Sequence, residues 1–247
     1  MITPGRFLLS LLAVASICVD VAIAANVHQI EPSPTIFGCM LGLVLGQIGL
    51  VAAGWIRSPR AWPWWSVAML GCLAMGSFLL GSMDKIPMLH WTIVLGVFGL
   101  LSVAMPMMYR MGTREESPQF SLSAIFAITT AATFVCFAVL QSDFPWEELP
   151  IALPGLMVWS CPVMVVALTL SESIIDRQRQ LVIGLGAILI ISTVAAWVLP
   201  TLWNRLPLVI AWESFYLMIA GIVAIQAIAN DEAVSGRQES VAPQLPQ

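Results

Sequence analysis

The stretch IFGCMLGLVLGQIGLVAAGWI, residues 36–56, is 21 residues long and contains no acidic or basic side chain. A helix of about 20 apolar residues crosses the roughly 30 Å of hydrocarbon in a bilayer. Gly38, Gly42 and Gly46 recur at every fourth position, so they share one face of such a helix. Small residues let a second backbone approach closely. The stretch therefore predicts a membrane-spanning helix whose glycine face packs inside a helical bundle, with a homodimer seam as the alternative.

Seven other stretches of the chain have a similar length and polarity. Together they predict eight spans, at residues 7–27, 36–56, 66–83, 88–109, 122–141, 150–170, 181–203 and 208–229. In lipid every backbone polar group needs an internal partner, and helices meet this requirement. The predicted fold class is therefore all-α, a polytopic transmembrane helical bundle that forms a single domain over residues 1–229. The polar residues 230–247 predict a disordered cytoplasmic tail.

The composition excludes several other classes of protein. The 247 residues are 59% hydrophobic and 10% charged, and the mean hydropathy is +0.91. In a soluble domain about a quarter of the residues are charged. A water-soluble domain and a nucleic-acid-binding protein with a basic face are both excluded. We expect the lipid bilayer to be the main partner, with other membrane subunits or a second copy as further partners.

The distribution of positive charge predicts the orientation of the spans. With the N-terminus in the cytoplasm, the outer loops carry only Lys85 and Arg205, and all other basic residues lie in inner segments. Membrane proteins retain Lys and Arg on the cytoplasmic side. We therefore expect both termini to be cytoplasmic and the protein to lie in the plasma (inner) membrane. The inner basic residues are Arg6, Arg57, Arg60, Arg110, Arg114, Arg177, Arg179 and Arg237.

Residues 1–25 allow a second interpretation. Arg6, the apolar run 7–19 and the sequence Ala22-Ile23-Ala24 also resemble a secretory signal peptide. Its cleavage would leave seven spans with the N-terminus outside. The stretch is also long enough to cross the membrane, which favours an uncleaved first span.

Short similarities relate the two halves of the chain. RFLLS at 6–10 and QFSLS at 119–123 open the first and fifth spans, and PMLHW at 87–91 and PLVIAW at 207–212 open the fourth and eighth. Four spans in each half predict a parallel 4+4 repeat about an axis normal to the membrane. The general similarity of all membrane helices is the alternative explanation.

Asp20 and Glu213 are the two ionisable residues that lie well inside predicted spans. A charge at the bilayer centre costs at least about 2.5 kcal/mol, so such residues usually face the bundle interior and have partners. Gln47, near the middle of the second span, is a candidate partner. A carboxyl that is hydrogen-bonded and serves only packing is the alternative for both acids, and an interfacial position is a further alternative for Glu213.

Helical spacing places each acid on a stripe of small and polar residues. Contact between the two stripes would bring both carboxyls into one dry site. A carboxyl in such a site can bind a proton or neutralise a cationic solute. The stripes are Ser16, Asp20, Ala24 and His28 on the first span and Glu213, Tyr216, Ala220 and Ala224 on the eighth.

These residues favour a small-solute or ion transporter that uses intramembrane carboxyls, with Asp20, Glu213 and Gln47 as the candidate binding residues. The sequence lacks the motifs of zinc hydrolases, serine hydrolases and nucleotide-binding proteins, which argues against an enzyme. The alternative function is a non-catalytic accessory or assembly subunit of a larger membrane complex. Such a subunit would co-purify with its partners in mild detergent.

His28 and His90 support a third hypothesis, a metal or haem site at the outer face. Both are predicted at outer span ends, where wet interfacial histidines are the more common arrangement. The five cysteines lie inside spans without C-x-x-C spacing. We therefore expect no disulfide, zinc site, iron–sulfur cluster or other bound cofactor.

Labelling of single introduced cysteines tests the predicted orientation. Cysteines placed in the turns 57–60 and 177–179 should react with a membrane-impermeant maleimide only after the cells are opened, because the charge rule places both turns in the cytoplasm. A cysteine at Lys85 should react in intact cells. Labelling of either arginine turn in intact cells would overturn the orientation.

Overall fold

The computed structural model describes residues 4–26, 33–57, 62–84, 86–113, 129, 133, 147, 149–170, 174–198 and 205–241. Within these residues the chain forms helices and no strands. The helices are α1 (Pro4–Asn26), α2 (Pro34–Arg57), α3 (Trp62–Asp84), α4 (Met88–Thr113), α5 (Leu149–Thr169), α6 (Ile174–Val198) and α7 (Arg205–Val241).

Four stretches of helix are long and apolar enough to cross a membrane: Pro34–Arg57, Pro63–Asp84, Met88–Tyr109 and Pro207–Asn230. They coincide with the predicted spans 36–56, 66–83, 88–109 and 208–229. The prediction of an all-helical fold is therefore confirmed for the described part of the chain, and four of the eight predicted spans coincide with helices that are long and apolar enough to cross a membrane. The predicted span 122–141 lies outside the described residues except for Thr129 and Thr133, and so does His28.

Helix α2 lies at the centre of the bundle. It packs against α3, α4, α5 and α7, and its aliphatic side chains Leu45 and Ile48 are completely buried. Small residues let neighbouring helices approach closely in a membrane, and α2 has Gly42 against α7 and Gly49 against α5. The glycines of residues 36–56 thus explain the central position of α2.

The glycine face of α2 packs against α7. A Cβ atom added at Gly42 would lie 2.6 Å from the carbonyl oxygen of Val209 and 3.1 Å from the backbone nitrogen of Glu213. One turn further along, a Cβ atom at Gly46 would lie 2.6 Å from the Tyr216 ring. The contacts advance in the same direction along both helices, so α2 and α7 run parallel. The glycine face therefore has the packing role that the sequence predicts.

Helix α4 runs parallel to α2 on another side. The rings of Phe37 and Trp91 lie 5.6 Å apart between centroids. Further along both helices, a Cβ atom at Gly99 would lie 3.5 Å from Ile48. Helix α3 connects the end of α2 to the beginning of α4 and therefore runs in the opposite direction.

Helix α5 is also parallel to α2. A Cβ atom at Gly49 would lie 2.5 Å from the Val163 side chain. Towards the end of both helices, the Arg57 guanidinium donates a hydrogen bond to the backbone carbonyl of Leu170. The final carbonyls of a helix have no partner within the helix, so this bond stabilises the end of α5.

Much of the outer surface is apolar. On α1, Leu11 and Val14 are 54% and 56% exposed, and on α6, Ile190 and Ile191 are 65% and 67% exposed. Large apolar patches are rare on soluble monomers. An apolar outer surface of this kind is compatible with a membrane protein.

Helix α7 extends past the predicted end of its span. The backbone is helical as far as Val241, whereas the sequence predicts disorder from residue 230. The added segment contains Ala, Glu, Gln and Arg, which have high helix propensity. Extending an existing helix also avoids the cost of nucleation. Residues 242–247 lie outside the described part of the chain.

Gly42→Ala should destabilise the bundle, because its methyl group would overlap the α7 backbone. Overpacking of this kind costs about 1–3 kcal/mol of unfolding free energy. Thermal unfolding in detergent, followed by tryptophan fluorescence, measures the effect. Gly71→Ala and Gly186→Ala are matched controls, since a Cβ atom at either position meets no atom within 4 Å. Equal stability of all three variants would contradict the close approach of α2 and α7.

Candidate functional site

Asp20 and Gln47 form a buried polar pair between α1 and α2. The exposed fractions of these side chains are 5% and 7%. The Gln47 amide nitrogen donates to both carboxyl oxygens of Asp20, at 3.0 Å to Oδ1 and 2.9 Å to Oδ2. Among described residues, the glutamine is the hydrogen-bond partner of this carboxyl. The expected pairing of Gln47 with an intramembrane acid is therefore observed for Asp20.

A second polar contact joins α1 to α7. The hydroxyl oxygens of Ser16 and Tyr216 lie 2.9 Å apart, within hydrogen-bond distance. Ser16 precedes Asp20 by one helical turn, and Tyr216 packs over Gly46 of α2. The predicted stripes on the first and eighth spans thus meet in the structure. Their contact produces a polar layer in which α1, α2 and α7 each contribute a side chain.

Glu213 is the most deeply buried acid of the described residues. Its side chain is 0% exposed, and neither carboxyl oxygen has a hydrogen-bond partner. The position follows from the pattern of α7: Glu213, Leu217, Ala220 and Ala224 lie on the inner face and are buried, whereas Trp212 is 43% exposed. Because Glu213 lies on the apolar stripe of α7 that packs inside the bundle, its carboxyl is buried together with that stripe.

The two carboxyls have different neighbours. Asp20 is in electrostatic range of Cys72 on α3 and Tyr216 on α7. Glu213 is in electrostatic range of Cys161 on α5. No contact between the two carboxyls is among those of the described residues. The two acids differ in bonding, since Asp20 has a hydrogen-bond partner and Glu213 has none among these residues.

Other buried polar atoms also have no hydrogen-bond partner. They include the indole nitrogens of Trp91 and Trp159 and the hydroxyl of Ser102 and of Ser214. The two serines carry no functional signal in the sequence, because a serine in an apolar helix commonly bonds to its own backbone. Ser160 does so, since its hydroxyl donates to the Leu156 carbonyl at 2.9 Å. Only the tertiary packing distinguishes the two types of serine.

The described residues contain no group of three or more His, Cys, Asp or Glu side chains that could hold a metal ion. His90 lies in the first turn of α4, where its backbone nitrogen donates to the Pro87 carbonyl at 2.9 Å. Its predicted metal-binding companion His28 is outside the described residues. Cys18, Cys39, Cys72 and Cys161 are free thiols.

Comparison with known proteins returns nothing: no family model, curated protein or solved structure matches this chain. The buried polar groups are therefore the features of this chain that bear on its function.

Gln47→Leu should destabilise the protein, because it leaves the Asp20 carboxyl buried without its donor. Loss of one partner in a buried hydrogen bond costs about 1–3 kcal/mol. The double variant Asp20→Leu/Gln47→Leu should cost less than the sum of the single variants, with a coupling energy of about 0.6–1.7 kcal/mol, typical of hydrogen bonds between membrane helices.

Unfolding in detergent measures all three variants. Gln226→Leu is the matched control, because Gln226 is exposed on α7. Strict additivity of the two single effects would contradict the Asp20–Gln47 pair.

Proposed function

We propose that this chain is an eight-span protein of the plasma membrane that carries a small solute or an ion across the bilayer. Asp20, Glu213 and Gln47 belong to the transport site. The unpartnered carboxyl of Glu213 carries the proposal. A buried polar group without a hydrogen bond costs free energy that an apolar residue of similar size would avoid. Intramembrane acids of this kind are characteristic of substrate and ion pathways.

The directions of the helices support eight spans. Helices α4 and α5 are both parallel to α2, so the end of α4 and the beginning of α5 lie at opposite ends of the bundle. The segment that links them includes residues 122–141, for which the sequence predicts a span. With that span included, consecutive helices alternate in direction. Both ends of the chain, with the tail 230–247, then lie on the cytoplasmic side, together with Arg57 and Arg177.

The packing pattern supports the 4+4 repeat. The repeat relates α2 to α5, α3 to α6 and α4 to α7. Under this repeat, each contact between two helices has an equivalent contact elsewhere in the bundle. The equivalent contacts are α2–α3 and α5–α6, α3–α4 and α6–α7, α2–α4 and α5–α7, and α2–α7 and α4–α5. Each of these contacts is present. Helices α2 and α5 are equivalent under the repeat, so a contact between them crosses the proposed axis. This contact is also present.

Transport in proteoliposomes tests the function. The purified protein should give currents on a solid-supported membrane after a concentration step of H⁺, Na⁺ or K⁺, or of a small neutral solute that is carried together with one of these ions, and empty liposomes should not. Asp20→Asn and Glu213→Gln should each lower the responding current at least about tenfold, because each replaces an ionisable intramembrane carboxyl by an amide that cannot ionise.

Asp84→Asn is the matched control, since Asp84 is an exposed carboxyl at the end of α3 and its removal should leave the current unchanged. Size-exclusion chromatography checks that each variant is folded. Absence of current for every ion and solute would reject transport in favour of the accessory-subunit alternative. Wild-type currents in both acid variants would reject the proposed site.

A further inference from the structure

The surroundings of Glu213 restrict what its carboxyl can bind. The side chain is completely buried, and both oxygens are buried without a hydrogen-bond partner. On the α2 side, the backbone of α7 lies so close to Gly42 that a methyl group added at Gly42 would overlap it. A hydrated cation or an organic solute needs volume beside the oxygens that this arrangement does not provide. A proton needs none.

The titratable neighbours of Glu213 come from the helices that pack on α7, namely α1, α2, α5 and α6. From α5, Cys161 is in electrostatic range of the carboxyl. From α2, Cys39 lies one turn before Gly42, and from α1, Asp20 is in range of Tyr216 one turn along α7. All of these groups are neutral or acidic, so none of them compensates a negative charge on Glu213.

The basic residues lie further away. Arg205 begins α7, eight residues or about 12 Å before Glu213 along the helix axis. Arg177, in the first turn of α6, precedes Leu181, which packs on Gly221. Gly221 is a further eight residues or about 12 Å beyond Glu213. In the described part of the bundle, no basic side chain is adjacent to the carboxyl.

A metal ion is a poor fit for the same position. Hard cations such as Ca²⁺ and Mg²⁺ require about six or more oxygen ligands. The described residues offer no group of three acidic, histidine or cysteine side chains. One carboxyl with two unshared oxygens can, however, take up a single proton and become neutral, which removes the cost of burying a charge.

We propose that Glu213 is a proton-binding site and that the structure represents its protonated, closed state. This inference rests on the proposed transport function and names the ion that this acid takes. In the step, one proton from water at a membrane surface adds to one carboxylate oxygen, and the charge of the side chain changes from −1 to 0. Release reverses the step. Because the site is sealed from water, proton exchange requires α7 to separate locally from α2 or α5.

Infrared spectroscopy of the protein in lipid nanodiscs tests this assignment. A protonated carboxyl has a C=O stretching band above the amide region, whereas a carboxylate has none there. At pH 7 the wild-type protein should show such a band, and uniform ¹³C labelling of glutamate alone should shift it to lower frequency. Glu213 is the only glutamate inside the predicted spans, so the shift assigns the band without a variant.

Glu213→Gln should remove the glutamate band and keep the protein folded, because glutamine resembles the neutral acid in shape. Asp20→Asn should leave the band in place. Addition of Na⁺, K⁺ or Mg²⁺ should not change it. Absence of a ¹³C-glutamate-sensitive band at pH 7, or its loss on adding one of these cations at constant pH, would overturn the proposal.

The infrared and transport experiments test separate claims, so one claim can be rejected while the other is retained. Loss of current in Glu213→Gln without a protonated band would retain the transport function and reject the proton site, because the acid would then act as a carboxylate. A protonated band in a protein that gives no current would retain the proton site and reject transport.

Discussion

The close approach of α2 and α7 is the contact on which the rest of the structure depends. Between membrane helices, lipid tails remove the usual hydrophobic driving force, so van der Waals contact and hydrogen bonds hold the bundle together. The glycines of α2 supply that contact by allowing the backbone of α7 within van der Waals distance. This contact places Tyr216 over Gly46 and Glu213 beside Gly42. The polar layer with α1 forms around the same seam.

The two intramembrane acids illustrate two ways of placing a carboxyl in a bundle. Asp20 accepts two contacts from the amide of Gln47, which satisfies both of its oxygens. Glu213 has no such donor among the described residues and is sealed from water. A satisfied polar group stabilises the association of helices, whereas an unsatisfied one reduces stability. Glu213 is therefore the stronger candidate for a functional acid, although both acids look alike in the sequence.

Sequence reasoning predicted the polar layer only in part. The spacing of Ser16 and Asp20, and of Glu213 and Tyr216, correctly indicated inward faces, because residues four or three apart lie on one side of a helix. It could not show that Ser16 would bond to Tyr216 while Asp20 bonded to Gln47. Those pairs are 200 and 27 residues apart in the chain. Similarly, the glycine spacing predicted a packing face without naming its partner helix.

The sequence by itself determined that this protein is helical and embedded in lipid. Long apolar stretches with nearly all the charges between them allow no other solvent, since backbone groups in hydrocarbon must bond within each helix. Tertiary structure alone decided which helices touch and which buried acid is bonded. These outcomes depend on the rotation of each helix and its depth relative to its neighbours. Side-chain packing across several helices sets the rotation and the depth of each helix. Neither can be derived from the periodicity of a single helix.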